Sequence, residues 1–320
     1  MKLDKIYTNR NFETWPSWDL VFEWENIFKE KLGLDFAYFN KKFLKFGNRI
    51  PLLKQFFIHE KLLVYEMRAI KRNHFFNHKN VVICIIDYYL DEEEIVNFEK
   101  AYNKNPIVLI SSLEVYEYLL KAKCNLKIDH LPLSISDHYR LDKKTNLKKE
   151  YDLVLMGRQN PVFEKYLEEY IKKFPNLRYV YRKQVNNQFL YFTSDGESLG
   201  DINTREKYIN LMRKSRIGLY STPGIDGGEK VTKGFNQVTP RFLELIACGC
   251  HVIARYKKNQ DTEYYRIDNF SRNIDTYEKF EEDLNFKLTT NINLEYYIEY
   301  LNEHYTSTRV LKLEEILKNI

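Results

Sequence analysis

Short apolar runs alternate with amphipathic stretches along nearly the whole chain. In the first half, Lys5 to Thr8 predicts a short strand and Asp19 to Leu32 an amphipathic helix. Between them lies a polar, aromatic loop holding Glu13, Trp15 and Trp18. Asp35 to Phe39 predicts a strand, and Leu53 to Ile70 shows apolar residues at helical spacing, predicting a long helix. The run Val81-Val82-Ile83-Cys84-Ile85-Ile86 predicts a strand buried on both faces and ending at Asp87. An acidic helix start follows at Asp91 to Glu94, where carboxylates suit the positive end of the helix dipole. Ile107 to Ile110 predicts another buried strand, with Ser111 or Ser112 capping the helix that carries Val115, Tyr116, Leu119 and Leu120. Leu126 to Leu133 completes this half.

Asp142 to Glu150 is charged and has no apolar period, which predicts a domain boundary. The pattern restarts with a strand at Tyr151 to Met156, the turn Gly157-Arg158-Gln159-Asn160-Pro161, and a helix over Val162 to Phe174. Leu177 to Tyr181 and Arg216 to Tyr220 predict strands, and Thr204 to Lys214 a helix with Asn203 and Glu206 in capping positions. A loop over 222–237 then holds four of the chain's eleven glycines, predicting flexibility, either of a loop that orders when a ligand binds or of a solvated surface loop. Asn293 to Ile320 is helical and amphipathic. Buried strands alternating with helices imply two α/β domains with parallel sheets, here placed at 1–145 and 146–295, with a C-terminal helix over 296–320.

The segment Val238 to Ala254 carries the most chemistry. Thr239 suits a helix N-cap, Pro240 the first helical position, and Gly249 the stop before a short buried strand. The helix is apolar nearly all round except for Arg241 and Glu244, three residues apart on one face. A helix N-terminus beside an arginine is a natural site for a phosphate or diphosphate. The alternative is an Arg241–Glu244 ion pair on a partly exposed helix.

The run Arg241-Phe242-Leu243-Glu244-Leu245-Ile246-Ala247-Cys248-Gly249 resembles the R-x-x-E-x-x-A-C-G segment of GT-B glycosyltransferases, especially the CgeB-like, glycosyltransferase-family-1 group. The resemblance implies two Rossmann-like domains with a cleft between them and a C-terminal helix crossing back to the first. It implies that the Thr239 helix faces the donor diphosphate, with Arg241 beside it and Glu244 on the nucleotide ribose. Gly157 would permit close backbone approach and Arg158 would meet the diphosphate. The broader retaining group has a second glutamate eight positions before Glu244, where this chain has Asn236.

Composition narrows the classes. With 44% hydrophobic and 30% charged residues in 320, the chain suits a globular protein with a core in each half. A net charge of +5, from 50 basic and 45 acidic residues, is too small an excess for a nucleic-acid-binding signature. It suits anionic substrates or peripheral contact with the anionic inner face of a membrane, and equally a solvated lysine surface. No run is long and apolar enough to span a bilayer, and Met1 to Lys5 opens no signal peptide. Cys84, Cys124, Cys248 and Cys250 lack metal-ligand spacing and read as reduced thiols of a cytoplasmic protein.

Lys230 and Lys233 are candidates to neutralise phosphate, and Asn236 or Gln237 to hydrogen-bond the sugar. For the catalytic base, Asp87 at a strand end is the best-placed carboxylate, with Glu13 and Asp19 as rivals. His130 and His138 are further candidates, and each of these residues has a structural alternative as a cap, a turn or a packed ring. Trp15 and Trp18 could stack on a sugar or anchor the core. The expectation is a metal-independent glycosyltransferase without cofactor, taking a nucleotide-diphosphate sugar and a glycan or lipid-linked acceptor in surface polysaccharide synthesis. A non-catalytic two-lobed sugar-nucleotide-binding or scaffold protein is the alternative.

Overall fold

The computed structural model describes residues 1–13, 17–40, 44, 58–186 and 188–320. By its own contacts the chain divides into two units. The first comprises Met1–Asp137, Lys230–Gln237 and His304–Ile320; the second comprises His138–Glu229 and Val238–Glu303.

The first unit is built on a parallel sheet of β1 (Lys5–Tyr7), β2 (Asp35–Ala37), β3 (Leu62–Arg68), β4 (Val81–Asp87), β5 (Val108–Ile110) and β6 (Ile128–His130). Their order is β2-β1-β3-β4-β5-β6. Helices α1 (Ser17–Leu32), α2 (Ile95–Tyr102) and α3 (Leu113–Lys121) accompany it. Phe98 and Ala101 of α2 and Val115 and Leu119 of α3 share one core with Val81, Ile83 and Ile85. Ser112 caps α3, its hydroxyl accepting from the Val115 N–H. The helix expected over Leu53–Ile70 is corrected: Leu62–Arg68 is strand β3, and residues 53–57 lie outside the described residues. Leu62, Leu63, Val64 and Tyr65 are all buried between β1 and β4, and a run buried on both faces carries no period to tell strand from helix.

The second unit holds β7 (Tyr151–Val154), β8 (Tyr179–Val185), β9 (Gln188–Thr193), β10 (Ser198–Asp201), β11 (Ser215–Ser221) and β12 (His251–Arg255). The order is β10-β9-β8-β7-β11-β12. Strands β8, β7, β11 and β12 run parallel, as the alternation predicts, but β8-β9-β10 is antiparallel. Asn186 turns the first hairpin with a left-handed φ of 49°, and Gly196 lies in the second turn with φ 91°. Along the chain come α4 (Pro161–Lys173), α5 (Arg205–Arg213), the single turn α6 (Glu229–Thr232), of which all but Glu229 belongs to the first unit, α7 (Pro240–Ala247), α8 (Gln260–Tyr264), α9 (Tyr277–Thr289) and α10 (Leu294–Asn302). Leu153, Phe163, Leu167, Ile217, Ile253 and Phe280 form its core.

The division between the units falls at Asp137 and His138, a few residues before the charged Asp142–Glu150 stretch. Tyr139 and Leu141 are already buried there, and Lys149 Nζ donates to the carbonyls of Arg213 and Cys248. The C-terminal segment is two helices rather than one. Helix α11 (Thr306–Lys318) returns to the first unit, where it packs on α1. The break occurs because His304 and Tyr305 are drawn into an extended bridge with Ile135. Buried Arg309 then donates to the carbonyls of Pro132 and Leu133. No helix among the described residues is long and apolar enough to cross a membrane.

Candidate functional site

The C-terminal ends of the parallel strands present the site-forming turns in each unit, the edge at which open α/β sheets bind ligands. In the second unit, β7 runs into the turn Gly157-Arg158, and Asn160 caps α4 through the N–H groups of Val162 and Phe163. Gly157 takes φ 65°, and a Cβ built on it would overlap the Arg241 guanidinium. The left-handed backbone favours glycine here, and a side chain would displace the arginine packed on it. Arg241 Nη1 donates to the Arg158 carbonyl at 3.2 Å, and the arginine also hydrogen-bonds the buried Tyr208 hydroxyl. Its Nε is buried without an acceptor. Arg158 itself is exposed.

Arg241 stands in the first turn of α7. Thr239 has the extended backbone of an N-cap, and Pro240 sits at the first helical position, as expected. The Thr239 hydroxyl caps none of the helix's N–H groups, and its own N–H is donated to Tyr220 Oη at 3.1 Å. The first-turn amides thus have no side-chain cap. Gly249 ends the helix segment with φ 62°.

Glu244, one turn on, is not paired with Arg241. Its carboxylate meets Arg205 at 2.6 Å, both side chains being less than a tenth exposed. The surface ion pair weighed from sequence is replaced by a buried pair, with the Arg205 guanidinium also over the Tyr139 and Tyr208 rings. Arg205 directly follows the cap Thr204, which takes the place expected for Asn203. Tyr191, on strand β9, completes the site: its hydroxyl accepts the Gly157 N–H at 3.5 Å. Sequence reasoning missed Arg205, Tyr208 and Tyr191. The Asn186 turn between two strands of alternating pattern was the available signal for the last.

The glycine-bearing loop is divided and largely fastened. In the second unit, Asp226 is held by Arg255 Nε at 2.5 Å and Nη2 at 2.7 Å and by Asn160 Nδ2 at 2.7 Å. Residues Lys230–Gln237 belong to the first unit. There Lys233 pairs with Asp91 at 2.9 Å. The Asn236 N–H is donated to Glu114, and its side-chain amide turns back to the Gly234 carbonyl. Lys230 is exposed. Within the second unit the structure thus brings together Gly157, Arg158, Thr239, Arg241 and Glu244; Lys230, Lys233 and Asn236 are placed in the first.

Among the candidate bases, Asp87 closes β4 opposite Arg68 of β3. Burial pushes its carboxyl up to about 6, against the opposing pull of Arg68 and a hydrogen bond from Tyr89. Glu13 is half-buried in the turn after β1, its N–H donated to the Asn9 carbonyl, and Asp19 is half-buried in the first turn of α1. His130 is buried, and burial drives its pKa down to about 3, so the ring is neutral. His138 lies in the short turn Asp137–Tyr139. Trp18 packs on Phe22 one helical turn away, whereas Trp15 lies outside the described residues. No group of three or more His, Cys, Asp or Glu among the described residues is arranged to hold a metal ion.

No family model matches the chain, and no curated protein does. Solved structures do. The pneumococcal O-GlcNAc transferase GtfA, in complex with UDP and GlcNAc, superposes with a TM-score of 0.51 at 13% identity, over 84% of this chain and 59% of that one. The N-terminal domain of Candida albicans trehalose-6-phosphate phosphatase gives 0.54 at 11% identity, over 95% and 84%. The UDP-forming α,α-trehalose-phosphate synthase from Burkholderia xenovorans gives 0.51 at 10% identity, over 92% and 82%. The fold is GT-B. The GT-B chain spans 59% of the length of the pneumococcal transferase.

Proposed function

We propose that this protein transfers a sugar from a nucleotide-diphosphate donor to a hydroxyl of a glycan or lipid-linked glycan. The observation that carries the reading is the Arg241 guanidinium packed on a left-handed Gly157 turn, where a Cβ would displace it, beside a helix N-terminus without a side-chain cap. That arrangement suits a diphosphate: backbone approach at Gly157, charge-assisted hydrogen bonds from Arg241 and Arg158, and the dipole of α7. The acceptor oxygen attacks the anomeric carbon, the bond to the diphosphate oxygen breaks, and Asp87 takes the hydroxyl proton. Charge growing on the departing diphosphate is met by the two arginines and the helix. Glu244, fixed by Arg205, is offered to the ribose. A cytoplasmic site of action and a role in surface polysaccharide synthesis accord with the net charge of +5 and with the CgeB-like resemblance of the Arg241–Gly249 run.

A panel of nucleotide sugars, read by thermal shift and by nucleoside diphosphate release, tests the reading. Stabilisation by at least one donor with slow release of its diphosphate is expected; stabilisation without turnover is the result of a binding or scaffold protein. Because the arginines and helix supply the positive charge, release is expected to continue undiminished in EDTA. Loss of turnover restored by magnesium or manganese contradicts this. Gly157→Ala should weaken UDP binding by roughly tenfold or more, since it forces a left-handed alanine that costs about 1–2 kcal/mol and displaces Arg241. Calorimetric titration with UDP checks it, and wild-type affinity would return the turn to a purely structural role.

A further inference from the structure

Gln237 was weighed from the sequence only as a sugar contact, and the structure gives it another task. Its side chain is 3% exposed and spans both backbone groups of Tyr88. Oε1 accepts the Tyr88 N–H at 3.4 Å, and Nε2 donates to the Tyr88 carbonyl at 3.0 Å. The amide thus supplies the two hydrogen bonds that a neighbouring strand would supply, at the residue where β4 has ended. Tyr88 immediately follows Asp87, and the two are fixed by different partners. Asp87 is paired in register with Arg68, while Tyr88 is held by Gln237.

The segment bearing Gln237 is itself anchored at four points within the first unit. Phe235 enters an aromatic cluster, edge-on to Tyr88 at 5.7 Å and to Tyr118 at 5.1 Å. The Asn236 N–H is donated to Glu114 at 2.8 Å, and Lys233 pairs with Asp91. An anchor of this kind makes Gln237 a rigid support.

We infer that Gln237 is a positioning residue for the reaction: by clasping the Tyr88 backbone it holds the end of β4 closed and keeps the Asp87 carboxylate in its half-buried, base-competent place. The inference rests on the reading of Asp87 as the base. The groups facing Asp87 are Arg68 from β3 and the Tyr89 hydroxyl that follows it; Gln237 adds no charge. Its removal acts through access of water, which returns the carboxyl toward the ordinary range near 3.8.

The test uses the full chain, with Gln237→Met as an apolar side chain of similar length and Gln237→Asn as a milder change that keeps a neutral amide, one methylene shorter. UDP release from UDP-GlcNAc and UDP-glucose is followed against pH, and the Asp87 carboxyl is titrated by carbon NMR. Gln237→Met should cut kcat by about tenfold or more with donor KM within about twofold, and should lower the Asp87 titration by about one pH unit or more. Gln237→Asn should fall between it and wild type. If Gln237→Met melts earlier but keeps the wild-type kcat and Asp87 titration, Gln237 is only structural and the inference is wrong. Should Gln237→Met fail to fold, an unshifted Asp87 titration and kcat in Gln237→Asn overturn it equally. Asp87→Asn separates the two levels. If it retains turnover, the base assignment falls and takes this inference with it; if it is inactive while both Gln237 variants behave as wild type, the inference alone fails.

Discussion

Asp87→Asn is expected to lower turnover by about a hundredfold to ten-thousandfold, the range that a positioned general base contributes. Donor binding should be untouched, because the proposed partners of the diphosphate lie on Gly157, Arg158 and Arg241. Burial raises the Asp87 carboxyl to about 6, so the active, ionised form is lost as the pH falls through that value. The rate of the wild-type chain should therefore drop tenfold per unit on the acid side of about 6. Stability runs the other way. The folded carboxyl holds its proton more tightly than an ordinary one near 3.8, so the stability that protonation contributes is lost as pH rises from about 4 to about 6. Above pH 6 the protein carries a half-buried charge that asparagine lacks, and Asp87→Asn at pH 8 should melt no earlier than wild type. Coupled loss of rate and of melting temperature would mark Asp87 as structural.

Arg241→Ala should lower turnover by about a hundredfold to a thousandfold, as removal of one donor to a charge-developing oxygen does elsewhere. The effect should exceed that of Glu244→Gln, because on the proposed mechanism negative charge grows on the diphosphate in the transition state and not on the ribose. Glu244→Gln has a cost of another sort. It leaves Arg205, itself buried, facing a neutral amide, and breaking a buried pair on one side is destabilising by about 3–5 kcal/mol in strong cases. A melting curve must accompany any loss of affinity in that variant. Arg241→Ala removes no such partner, since Arg241 packs on the Gly157 turn and Tyr208.

Much of this architecture could be read from local pattern. The Val81–Ile86 run, the Gly157 turn after β7, and Thr239 and Pro240 opening α7 are each specified by residues adjacent in the chain. Strand β3 was not legible, because Leu62–Tyr65 is buried on both faces and looks the same as a buried helix. The antiparallel hairpins were passed over in favour of uniform strand–helix alternation, and with them went Tyr191. The partnerships at the site are long-range and leave no local trace: Arg205 meets Glu244 across 39 positions, and Gln237 meets Tyr88 across 149. The 222–237 loop was legible only by its glycine content; the contacts made there by Asp226, Phe235 and Gln237 are long-range, and composition does not encode them.

In the proposed reading, Arg241 and the Gly157 turn form a diphosphate site at the start of α7. Calorimetric titration of wild type and Arg241→Ala with UDP and with uridine tests it most directly. At roughly 1.5–3 kcal/mol per charge-assisted hydrogen bond, wild type should bind UDP at least tenfold to a hundredfold more tightly than uridine. That preference should collapse in Arg241→Ala while uridine affinity stays the same. Equal affinities for the two ligands in wild type, or a preference for UDP that survives in Arg241→Ala, would contradict the account.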